Sequence, residues 1–185
     1  SCGSSSADSQ PESKPNDQTQ PASSQQSNTS QEQKEQPEES SNYTVSQSNA
    51  LRKAKSYLQI SAFSHDGLVN QLEYEKFSTE DSVFAADNCG ADWSEQALIK
   101  AKSYLDISAF SYSGIIEQLK YEGFTEEQAT YGADNCEADW NEQAAKKAES
   151  YLSLSGFSRD SLIDQLKYEG FTQEQAVYGV EQNGL

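Results

Sequence analysis

From about Gln47 onward, apolar residues fall in short helical patterns that recur with a strict period of 47 positions. Tyr57, Tyr104 and Tyr151 correspond, as do Phe63, Phe110 and Phe157, Leu72, Leu119 and Leu166, and Phe77, Phe124 and Phe171. A period held without insertion through three copies marks tandem structural units. The units divide as 47–93, 94–140 and 141–185, after an N-terminal linker of 1–46.

In the middle unit, Trp93, Ala97, Ala101, Tyr104 and Leu105 share one face of a helix, with Asp92 and Glu95 placed as a capping box at its start. Ser111 is the expected N-cap of a second helix, stapled by Phe110 and Ile115 and continued by Ile116 and Leu119. Gly123 suits the left-handed position that ends it. The first unit has Lys76 there, so a stop weaker by roughly 1 kcal/mol is expected. Thr125 and Gln128 form a second capping box and open a third helix through Ala129, Tyr131 and Ala133. The predicted fold is all-α: three tandem three-helix modules, each containing a helix-turn-helix-like pair.

Between modules the sequence reads ADNCGADW and ADNCEADW, and three units have two such junctions. Cys89, Asp92 and Trp93 are therefore expected at the first seam, and Cys136, Asp139 and Trp140 at the second. Ligand stacking by the tryptophans is the alternative. Cys89 and Cys136 are read as small buried residues, because equivalent atoms of successive repeats usually lie beyond disulfide reach; an intramolecular bridge and reactive thiols remain the other options.

Residues 1–46 are poor in apolar side chains and rich in Ser, Gln, Glu and Pro, a composition that cannot offset the entropy of ordering. They read as a disordered tether averaging roughly 35–40 Å end to end. Cys2, followed by Gly3 and a serine run, resembles the lipid-bearing start of a mature bacterial lipoprotein. Two acyl chains on Cys2 would anchor the protein stably at the outer face of the cytoplasmic membrane.

Charge narrows the choice of partner. The net charge of −17 opposes phosphate backbones, so nucleic acid is a poor candidate and a basic protein segment a good one. The middle unit, with nine acids against three bases, is more acidic than its neighbours, each with seven against four. Its Asp106, Glu117, Glu122, Glu126, Glu127, Asp134, Glu137 and Asp139 are the candidate partner-binding acids. The single histidine, His65, aligns with Tyr112 and Arg159 and reads as solvated, outside any repeated chemistry. No metal site, cofactor site or catalytic constellation is expected: there is no CxxC, nucleophile elbow or phosphate-cradling loop, and DNCGAD does not fit a calcium loop.

The strings FSYSGIIEQLKYEGFTEEQATYGADNCEADWNEQAAKKA and FSRDSLIDQLKYEGFTQEQAVYGV resemble the repeats of the Ltp-type host cell surface-exposed lipoproteins, over about residues 48 to 185. Unit one departs most, reading EYEKF at Glu73–Phe77 where the others have KYEGF. The resemblance implies a prophage superinfection exclusion lipoprotein that hinders phage DNA entry through the phage tape measure protein. A surface lipoprotein that binds cell-wall polymer or a host protein is the alternative, with exposed aromatics such as Tyr112 mattering more than acids. A DNA-binding protein would need a basic recognition helix, and the third helix of unit two, EEQATYGADN, has no base. A cell-wall enzyme would need polar catalytic groups, and the sequence shows no such set.

Overall fold

The computed structural model describes residues 42–185; Cys2, expected to carry lipid, and the expected tether as far as residue 41 lie outside the described residues. Among the described residues there are nine α-helices and no strand, three helices to each repeat. Module 1 contains α1 (Val45–Ile60), α2 (His65–Tyr74) and α3 (Thr79–Asn88). Module 2 contains α4 (Trp93–Ile107), α5 (Tyr112–Tyr121) and α6 (Glu126–Asn135). Module 3 contains α7 (Trp140–Leu154), α8 (Arg159–Tyr168) and α9 (Gln173–Gln182).

Short polar side chains set the helix starts. The Thr125 hydroxyl accepts from the backbone of Gln128 while the Gln128 side chain returns to the Thr125 backbone, and Thr172 repeats the pair with Gln175. Ser111 caps α5 by accepting from Gly114. Asp92 caps α4 by accepting from Ser94 and Glu95, but this cap is one-sided, because the Glu95 carboxylate is taken by the Tyr131 hydroxyl at 2.8 Å. In module 1 the cap falls one residue earlier, on Thr44, so Val45 and Ser46, which composition assigns to the tether, open a helix.

The stops are equally local. Gly123 and Gly170 adopt φ 94° after α5 and α8. Lys76 takes φ 72° at the same place after α2, so the turn is kept with a side chain that costs about 1 kcal/mol relative to glycine.

Each module closes a separate core. In module 2, Ile115 and Leu119 of α5 are fully buried against Ala97 and Ala101 of α4 and Ala129 of α6, with Phe124 covering one end. Burial of a leucine such as Leu119 is worth about 1.5–3 kcal/mol. Alanines let the first and third helices approach closely, and Gly132 brings them closer still: a Cβ there would stand 2.9 Å from the Ala97 carbonyl oxygen. Module 1 has Ala85 at that position, so α1 and α3 must stand slightly further apart.

The helix pairs that pack extensively are all internal to a module. Across the second junction, Ser111 Oγ donates to the Glu169 carbonyl at 2.6 Å, Ser113 Oγ to the Gly170 carbonyl at 3.1 Å, and the Phe110 N–H to Gln143 Oε1 at 3.3 Å. The first junction repeats two of these bonds, Ser64 to the Glu122 carbonyl and Phe63 to Gln96. Ser64 and Ser111 thus each cap their own helix and hold the next module, which accounts for the burial of two hydroxyl-bearing side chains.

Candidate functional site

The candidate residues divide between the junctions and the acids of module 2. At the junctions, Trp93 opens α4 and sets its ring edge-on to His65 of module 1, centroids 5.3 Å apart, while Trp140 meets Tyr112 at 5.5 Å. Both indoles are half-buried and pack against the core of the preceding module. Asp92 and Asp139 cap the helices that those tryptophans begin. Cys89 and Cys136 are buried free thiols, each donating to a carbonyl one turn back at 3.2 Å, Ala86 and Ala133 respectively.

His65 is not the solvated outlier that its sequence position suggests. Its Nε2 lies 2.8 Å from Asp87, at the far end of α3. Tyr112 makes the same bridge to Asp134 at 2.7 Å, and Arg159 makes it to Glu181 at 2.9 Å. Three different donors tie the start of the second helix to the end of the third. Comparing residue identities hid the device, because the donor's chemistry changes while its partner stays acidic.

A second repeated device occupies the ends of the second helices. The Tyr104 hydroxyl donates to the Glu122 carboxylate and accepts from Gln118 at 3.2 Å, while Lys100 stands 3.4 Å from Glu122 and 5.7 Å from the Tyr104 ring centroid. Modules 1 and 3 repeat it with Tyr57, Gln71, Lys53 and Glu75, and with Tyr151, Gln165, Lys147 and Glu169. Burial first, and the bond to the carboxylate second, push the Tyr104 and Tyr151 phenols above their ordinary range. The Tyr57 bond is the main cause holding the Glu75 carboxyl below its ordinary value.

The eight acids of module 2 do not share one face. Glu117, Glu122, Glu126 and Glu127 gather where α5 turns into α6, and Asp134, Glu137 and Asp139 lie at the other end of α6. Ten residues of helix, about 15 Å, separate the two groups. Asp106 stands apart at the end of α4. Several are already engaged: Glu122 by Tyr104 and Lys100, Asp134 by Tyr112, Asp139 as a cap, Glu137 by Lys102 at 3.5 Å. Lys120 sits between Glu117 at 3.0 Å and Glu126 at 2.7 Å, and those bonds, the Glu126 bond foremost, raise its pKa. Two carboxylates share one ammonium there, leaving a local charge of about −1, while Glu127 and Asp106 are exposed. Glu137 also occupies a left-handed conformation, φ 61°, where module 1 has Gly90.

The sequence reading missed the exposed apolar residues. Ile60, Ile107 and Leu154 are 81–83% exposed at the ends of the first helices, and Tyr74, Tyr121 and Tyr168 are 78–88% exposed at the ends of the second. Their threefold repetition was a usable signal. Among the described residues, no three His, Cys, Asp or Glu side chains converge as a metal site, and no helix is long and apolar enough to cross a membrane.

Comparison with known proteins agrees with the repeat architecture. The family model of the host cell surface-exposed lipoproteins, Lipoprotein_Ltp, matches three times, at residues 46–89, 92–136 and 139–182. No curated protein is similar enough to count as a relative. Among solved structures, the chain is similar to Ltp, a superinfection exclusion protein from the Streptococcus thermophilus temperate phage TP-J34, at 35% identity and a TM-score of 0.49, over 51% of this chain and 98% of that one. With one family match on each of its three modules, the chain belongs to the Ltp family of host cell surface-exposed lipoproteins.

Proposed function

We propose that this lipoprotein is anchored through Cys2 at the outer face of the cytoplasmic membrane and excludes superinfecting phage by binding a basic segment of the tape measure protein, so that DNA entry is blocked. The observation that carries the reading is the charge of the middle module, nine acids against three bases, on a chain with a net −17. Such a surface repels DNA and draws in a cationic polypeptide. A tether ahead of α1 would hold the modules near the injection site and raise their effective concentration there. The role is binding rather than catalysis: the polar groups described form caps, braces and ion pairs whose hydrogen bonds end within the fold. Tyr112, the aromatic that would serve a polymer-binding role, spends its hydroxyl on Asp134 and its ring on Trp140.

A phage challenge tests the reading. Cells carrying the full chain, the Cys2→Ala form or neither are scored separately for adsorption and DNA entry. Normal adsorption with entry blocked only by the Cys2 form is the expected result. Unimpeded entry in all three across a broad phage panel would overturn exclusion and turn attention to a cell-surface partner.

A further inference from the structure

A shallow groove of about 330 Å³ opens at the junction of modules 2 and 3, between the start of α5 and the end of α8. Module 3 contributes Tyr168, Glu169 and Gly170, and module 2 contributes Ser113, Gly114 and Glu117. Tyr168 is 87% exposed, an apolar ring left uncovered beside two carboxylates. Glu169 is balanced by Lys147 at 3.2 Å, so the net negative charge at the groove comes from Glu117, which shares Lys120 with Glu126. An aromatic face next to unbalanced carboxylate matches a guanidinium, which stacks on the ring and pairs with the acid.

We propose that this groove is an arginine-binding site for a basic polypeptide, with Tyr168 as the stacking platform and Glu117 as the counter-charge. The proposal deepens, and rests on, the reading that the partner is basic. The two junctions differ in where the acid stands. The first has Tyr121 in place of Tyr168, neutral Asn70 in place of Glu117 and Asp66 in place of Ser113, so its carboxylate stands at a different place on the wall, beside Gly123. Tyr74 has no preceding module among the described residues and so no second wall.

The test is titration of the full chain with a synthetic arginine-alanine peptide, using the same peptide with citrulline for arginine as the neutral control, followed by amide chemical shifts and Kd. Expected are shifts at Ser113, Gly114 and Gly170, weakening of about threefold for Tyr168→Ser and for Glu117→Gln and about tenfold for both, and no change for Tyr74→Ser. Tyr168 is exposed enough that Tyr168→Ser keeps the fold, checked by an unchanged Tm. Arginine-dependent binding that leaves these amides still and ignores Tyr168→Ser would overturn the groove while leaving a basic partner in place. If the arginine peptide binds no better than the citrulline control, both fall.

Discussion

Modules 1 and 2 fold on the same plan, yet module 1 carries a local cost at several points where module 2 has the better-suited residue. Lys76 stands in a left-handed turn where module 2 has Gly123. The hydroxyl of Ser82 is fully buried without a hydrogen-bond partner, where module 2 has Ala129. Ala85 holds apart two helices that Gly132 lets approach. Module 2 accepts strain at one place only of this kind, Glu137, and there it gains a charge and an ion pair with Lys102. The shared frame thus rests on caps, braces and small helix contacts, while the variable positions trade stability and charge on top of it.

The largest loss is expected from a change inside module 2. Leu119→Ala empties a fully buried site and should destabilise the module by about 2–5 kcal/mol. Because the three cores are separate, hydrogen exchange should rise within α4 to α6 and stay near its original level in modules 1 and 3. Gly132→Ala forces a methyl against the Ala97 backbone and should cost about 1–3 kcal/mol by denaturant unfolding, whereas Ala85 already occupies the matching site in module 1. Ser82→Ala works in the other direction. Removing the unpartnered hydroxyl should stabilise module 1 by about 1–2 kcal/mol, narrowing its deficit against module 2; a fall in Tm would contradict the account of that site.

The smallest effect lies in pH. The Tyr104 and Tyr151 phenols are raised by burial and then by their carboxylate partners, so the stability they supply is intact below about pH 10 and lost as pH rises through their folded values. The Glu75 carboxyl is lowered, so its contribution is present above the ordinary carboxylate range and lost as pH falls through its folded value. Tyr104→Phe with Tyr151→Phe should therefore flatten the alkaline decline of Tm.

The fold was legible because its signals are local. Ser111, Thr125 with Gln128, Asp92 and Gly123 act within a few residues of where they stand, and a period of 47 shows each of them in triplicate or nearly so. Seam residues could be named from position, but the bonds that join modules could not: Ser64 and Ser111 donate to backbone carbonyls, and a carbonyl acceptor has no sequence signature. His65 was misread because its role passes from histidine to tyrosine to arginine along the repeats. The acids of module 2 were countable, but sequence did not show that α6 separates them into two groups or that the fold already uses several of them.

The central claim, that module 2 carries the partner-binding charge, is tested most directly by moving the same loss of charge between modules. Phage DNA entry would be measured in cells expressing the full chain with Glu117→Gln and Glu127→Gln, or with Asp66→Asn and Glu80→Gln, two substitutions in each module. The account predicts that the module 2 pair restores DNA entry and the module 1 pair leaves it blocked. Equal behaviour of the two variants would contradict it.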